Sequence, residues 1–252
     1  MTKLINAFST FTETNAQGVE FEAANSDAVD YGDVSGSLSD GKLATISAWL
    51  FIPSWPGVEA RVFSISILGP TRFAIYTDPA TSGRIIFFAR NSAATTVLDA
   101  GLTSFPLNQW VHLLVSIDQA SGMQVYINGS DASANLTVST LIDSNIDFSA
   151  GTGSRTWVGA FHLGSQYWNG YMADLYVNLS AALDISVEGN RRKFISADGK
   201  PVYLGANGQI PTGSQPQFFH TGPTATWHTN RGSVSGGTET GALSDAPSNP
   251  TY

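Results

Sequence analysis

Hydrophobic residues in this chain recur with a period of two over short stretches, and that period predicts strands rather than helices. In the stretch 111–118, Val111, Leu113, Val115 and Ile117 fall on one face while His112, Ser116 and Asp118 fall on the other, the pattern of a half-buried strand. The same alternation runs through residues 46–52, 72–77, 123–128 and 171–177. Turn signals separate these stretches: Leu68-Gly-Pro70, Ser82-Gly83, Ser121-Gly122, Asn128-Gly129 and Asn169-Gly170. Many short strands with no helices between them imply an all-β antiparallel sandwich or barrel over residues 1 to about 185.

One helix is expected beyond it. Ser186 stands as the cap of residues 187–195, with Glu188 in the first turn and Arg191, Arg192 and Lys193 towards the end, the order that the helix dipole favours. Gly189 weakens it. The three cations read either as a basic patch or, more simply, as a solvated helix end. Residues 199–252 then change character: they hold six of the 11 Pro and nine of the 25 Gly but only four charged residues. They nevertheless keep Val202, Leu204, Phe218, Phe219, Trp227 and Leu243, which a disordered tail would lack. Residues 186–252 therefore read as a short helix plus a C-terminal extended arm that packs on its own sandwich or on a neighbouring subunit. Phe218, Phe219 and Trp227 are the candidate subunit-contact residues.

Composition supports strands and narrows the function. Four Lys and six Glu stand against 14 Asp and 52 Ser plus Thr, a balance that favours caps, turns and strands. A net charge of −8 leaves no cationic excess to displace phosphate counterions, so a sequence-independent nucleic-acid partner is excluded. The absence of cysteine excludes disulfides, a thiol nucleophile and thiolate metal sites. Residues 1–10 carry one Lys and no apolar run of signal-peptide length, and no later segment is apolar enough to span a membrane. The expectation is a chain that is neither exported by a leader nor inserted in a membrane.

Several stretches, taken in order, resemble one family. Residues 21–32, 45–50, 108–113, 125–129 and 169–176 are similar to successive strands of the laminin-G/concanavalin A-like jelly roll, a likeness that covers residues 19–180. Residues 190–205 and 208–213 resemble the extension that follows such domains in structural proteins of tailed bacteriophages. The resemblance implies a non-enzymatic virion component: a head decoration, a fibre or a tail-attached adhesion protein. It would assemble in the host cytoplasm with other virion proteins and copies of itself. A carbohydrate-binding lectin for host attachment is the alternative, and a glycoside hydrolase a more distant one.

Each chemistry that such a fold hosts asks for particular residues. Glycoside hydrolysis needs two carboxyls across the scissile bond, and Glu20 and Glu22 are the one close Glu pair, with no third acid at the spacing of jelly-roll glucanases. No Gly-x-Ser-x-Gly elbow is present, and His112 lies inside a strand. His220 and His228 lack a third zinc ligand. No catalytic residue and no cofactor is expected, calcium excepted. Its candidate ligands are Asp27, Asp30 and Asp33 in a loop and Asp174 in the closing strand; the competing reading is that these Asp residues cap turns. A glycan would need aromatic faces and amide partners, which Gln166, Tyr167, Trp168 and Asn169 offer together, with Trp55 as a further loop aromatic. Packing under the arm is the other reading of Tyr167 and Trp168. Trp49 and Trp110 lie in strand patterns and are assigned to the core or a sheet face.

Overall fold

A computed structural model describes residues 16–250; the leader reading, which rests on residues 1–10, lies outside them. In chain order, β1 (Val19–Phe21) and β2 (Ala28–Gly32) are short, and β3 (Leu43–Phe51) is the first long strand. There follow β4 (Arg61–Ile67), β5 (Thr71–Thr77), β6 (Ile85–Arg90), β7 (Thr96–Leu102), β8 (Trp110–Asp118) and β9 (Gly122–Ile127). The body ends with β10 (Ser130–Asp131), β11 (Leu136–Leu141), β12 (Ser154–Val158) and β13 (Gly170–Asn178). The last segment adds α1 (Glu188–Arg191), β14 (Phe218–His220), α2 (Thr224–Trp227), β15 (Thr238–Thr240) and β16 (Ser244–Asp245).

These strands form two antiparallel sheets. Sheet A runs β10-β9-β8-β3-β13-β1-β16, with β14 also paired to β13, and sheet B runs β11-β7-β6-β5-β4-β12-β2-β15. Every stretch that alternates in sequence lies in a strand, and the Asn128-Gly129 turn takes positive φ at both residues, as a tight hairpin turn requires. The inner faces meet in one core that includes Ile46, Leu50, Phe63, Phe73, Phe87, Val111, Leu113 and Val115.

The outer face of β8 departs from the half-buried expectation. His112, Leu114 and Ser116 are buried as deeply as the residues facing the core. The chain after β13 folds back over sheet A, where Ile185, Phe194, Leu204 and Phe219 pack on Leu114, Tyr126 and Tyr176 as a second apolar cluster. The α1 region serves that cover. It is shorter than expected, with Val187 rather than Ser186 at its N-cap, because the Ser186 hydroxyl donates to Asp184 and Arg191 donates to the carbonyls of Ile185 and Ser186. Nor are the cations a free solvated end: Arg192 pairs with Glu188 and donates to the Ser196 carbonyl, and Lys193 donates to the Pro211 carbonyl.

The arm completes both sheets of its own chain. β14 pairs with the second half of β13, β15 with β2 and β16 with β1, so short arm strands cover edges whose backbone groups would otherwise be bare. Trp227 is wholly buried, edge-on to Phe21 and stacked on His220, while Phe218 packs against Tyr31 and Phe63 of sheet B. Phe218, Phe219 and Trp227, expected at a subunit contact, are thus interior residues with no surface left for a neighbour.

Candidate functional site

The expected glycan cluster does not converge. Trp168 is buried in the main core at 1% exposure, so its ring has no face for a sugar. Asn169 is exposed and accepts the Ala23 amide, and Trp55 is half-buried with its indole Nε1 donating to the Asp78 carbonyl. Only Gln166 and Tyr167 meet, in a shallow depression lined also by Val58, Glu59 and Pro79. There the Gln166 side chain is spent: its Oε1 accepts from Arg61 Nε at 2.8 Å and its Nε2 donates to Glu59 at 2.8 Å. Arg61 also pairs with Glu59 at 2.7 Å and lies between the Tyr76 and Phe161 rings; burial holds its guanidinium below the ordinary value.

The four calcium candidates are likewise separated in their duties. Asp27 accepts the backbone N–H groups of Glu22 and Ala242. Asp30 accepts from Gly32 and pairs with Arg155, while Asp33 accepts from Ser35, Gly153 and the Ser154 hydroxyl. Those N–H donors hold the Asp33 carboxyl far below its usual range. Asp174 sits apart, on the bulge of β13 between the stretches paired with β1 and β14, with φ +47°. Burial pushes it up to about 6 against the opposing pull of the Thr221 hydroxyl and the Arg231 charge. Among the described residues no three His, Asp or Glu side chains stand together to hold a metal ion. The turn-capping role is what the geometry displays for Asp27, Asp30 and Asp33.

His112 and His220 are enclosed in the interior. A carbonyl can only accept, so the 2.8 Å contact of His220 Nδ1 with the Trp227 carbonyl places the proton there, and Nε2 then accepts from the Tyr31 hydroxyl at 2.5 Å. His112 Nε2 lies 2.9 Å from Ser47 Oγ, and its Nδ1 has no partner. Burial lowers His112 to about 3 and His220 to about 4.

A better-formed site lies on the outer face of sheet A, at residues assigned by sequence to the core or a sheet face. Because Val111 and Met172 face inward, Trp110 and Tyr171 must face outward. The register sets Trp110 opposite Phe51 and Phe51 opposite Tyr171, so three neighbouring strands carry an aromatic row. Phe51 stands 5.8 Å from Trp110 and 5.0 Å from Tyr171, centroid to centroid. Beside the row a cleft of about 520 Å³ is lined by Trp49, Phe51, Trp110, Gln109, Asn128, Ser248 and Asn249 among others. Trp49 forms its deep wall against His112, while Phe51 and Trp110 are partly open. The arm finishes it: Trp110 Nε1 donates to Ser248 Oγ at 3.1 Å, and Asn249 Oδ1 accepts the Gly18 N–H at 2.7 Å. The cleft thus combines ring faces with neutral amide and hydroxyl groups. Sequence alternation left Trp110 to the core or a sheet face and did not single out Phe51 or Tyr171; the strand pairing that joins them is not local in sequence.

Comparison with known proteins bears on the scaffold. Residues 23–184 match the family model described as the concanavalin A-like lectin/glucanases superfamily. No curated protein matches the chain. Among solved structures, a heptameric SAP-like pentraxin from Limulus polyphemus aligns with a TM-score of 0.53 at 14% identity, over 92% of this chain and 95% of that one. Domains LG4-5 of the mouse laminin alpha1 chain align with a TM-score of 0.41 at 15% identity, over 68% of this chain and 44% of that one. NanB sialidase from Streptococcus pneumoniae, as its K499G mutant, gives 0.47 at 14% identity, over 69% of this chain and 27% of that one. At 14% identity the likeness to the pentraxin shows the fold alone.

Proposed function

The chain belongs to the concanavalin A-like lectin/glucanases superfamily, and on that premise we propose a non-enzymatic saccharide-binding module that serves as a structural, host-attachment component of a virion. One arrangement carries the binding reading: the half-buried rings of Phe51 and Trp110 beside Gln109, Asn128, Ser248 and Asn249 in a single cleft. Sugar rings present C–H faces that stack on such aromatics and hydroxyls that such amides meet. Hydrolysis would need a carboxyl pair, and none of the described residues lining the cleft is acidic. The virion setting rests on the likeness of residues 190–205 and 208–213 to the extension found in structural proteins of tailed bacteriophages. In that setting the partners are other virion proteins and further copies of the chain.

A glycan array tests the reading. The wild-type protein is expected to retain saccharide, and Trp110→Ala to lose it while melting within a few degrees of wild type. Retention by Trp110→Ala equal to wild type would place the ligand elsewhere.

A further inference from the structure

Apart from Gln109, the polar side chains that line the cleft are left with hydrogen-bond donors to offer, and from this we infer that it selects a neutral saccharide bearing an acetamido group. The inference rests on the saccharide reading above and sharpens it.

Backbone amides fix the orientation of two side chains. Asn128 Oδ1 accepts the His112 N–H at 2.8 Å, and Asn249 Oδ1 accepts the Gly18 N–H at 2.7 Å. A backbone N–H can be met only by the amide oxygen, so the Nδ2 group is what each asparagine retains for a ligand. Ser248 is polarised in the same sense: its oxygen accepts from Trp110 Nε1, which leaves the hydroxyl proton to give away. Three donors therefore border the rings of Trp49, Phe51 and Trp110, with the exposed Gln109 able to act either way.

An acetamido group answers this pattern in one unit. Its carbonyl is an obligate acceptor for Asn Nδ2 or the Ser248 hydroxyl, and its methyl is apolar surface to set against a ring. Its N–H can reach the Gln109 carbonyl oxygen. A plain hydroxyl in the same place supplies an acceptor but no methyl, and brings a donor into a site already rich in donors.

Among the described residues, the lining carries no charge for an acidic sugar to pair with. Asp198 and Lys200 flank the lining Gly199, so that turn adds no net charge. Arg192, close to Gly129 just after Asn128, is committed to Glu188 and the Ser196 carbonyl. On the other side of the aromatic row, Glu20 stands opposite Tyr171. A carboxylate brought here would lose water with no counter-charge to replace it.

Paired sugars make the test. Triacetylchitotriose and cellotriose share one β-1,4-linked glucose backbone and differ only in the acetamido groups; N-acetylgalactosamine and galactose repeat the comparison with another hydroxyl configuration. Titration calorimetry should give tighter binding to the acetylated member of at least one pair, by about tenfold, and none to trigalacturonate. Asn128→Asp and Asn249→Asp keep the oxygen that accepts the backbone N–H but remove Nδ2. Each should erase most of the acetamido preference, with melting curves confirming that the variant is folded. Equal affinities within both pairs, or tighter binding of trigalacturonate, would overturn the inference and leave saccharide binding standing. Failure of every sugar to bind would overturn both.

Discussion

A proton added to His112 would have to be carried in a site closed to water, beside Trp49 and with the Ser47 hydroxyl on its one partnered nitrogen. His220 is equally enclosed, and its Nε2 already accepts from Tyr31. With folded values of about 3 and about 4 against an ordinary 6.5, both imidazoles take up protons more readily in the unfolded chain. The stability they contribute is complete above pH 6.5 and is lost as pH falls from there towards 4. Asp174 works in the opposite direction: raised from 3.8 to about 6, it favours the fold most when protonated, so it returns stability as pH falls from 6 to 3.8. At about 1.4 kcal/mol per pH unit, the two histidines cost together roughly 7 kcal/mol by pH 4 and Asp174 returns about 3. Denaturant titrations should therefore show a net loss of about 4 kcal/mol between pH 7 and pH 4. A pH-independent midpoint would contradict this. Asp174→Asn, which keeps a side chain suited to φ +47°, should stabilise the protein by about 3 kcal/mol at pH 7.5 and by little at pH 4.

The strands and the arm differ in how far local sequence specifies them. β3, β5, β8, β9 and β13 are legible because each buries one set of alternate residues in the main core. The second apolar cluster is not legible in that way, since Leu114 and Tyr126 look like exceptions to alternation until the segment from Ile185 to Phe219 is laid over them. β14, β15 and β16 are two or three residues long, too short for any period; β14 meets β13 across some forty residues, and β15 and β16 meet β2 and β1 across most of the chain. Only the residual aliphatic and aromatic residues showed that the arm packs, and burial of Trp227 and Phe218 decides on what. Trp227→Ala should cost about 3–5 kcal/mol in chemical denaturation, as expected of a large aromatic removed from a core. A loss under 1 kcal/mol would mean that the arm is peripheral. Limited proteolysis should spare residues 214–250 under native conditions, because their strands cap both sheets; early release of that segment with the sandwich intact would argue the reverse.

At the scale of the whole molecule, the charge distribution and the closed sandwich act together. Sixteen of the 20 acidic residues precede residue 186, and several of them are consumed in holding loops, as Asp27, Asp33 and Asp78 show by accepting backbone N–H groups. In the Asp-rich loop the carboxylate oxygens of Asp27, Asp30 and Asp33 answer donors of the same chain. Excess calcium should leave the melting midpoint where chelator leaves it, and a calcium-dependent rise of several degrees would restore Asp27, Asp30 and Asp33 as ligands. The candidate cleft was hidden for a related reason, because it is assembled from β3, β8, the β9–β10 turn and the end of the arm. Its rings and amides lie far apart in sequence, and the register and the arm bring them together. Saccharide is expected on this outer face. The most direct test is the indole N–H resonances of the six tryptophans during titration with triacetylchitotriose and then cellotriose. The Trp110 indole should shift and saturate with at least one of them, while Trp168 and Trp227 stay still. Spectra in which no indole moves, or in which Trp55 responds and Trp110 does not, would contradict it.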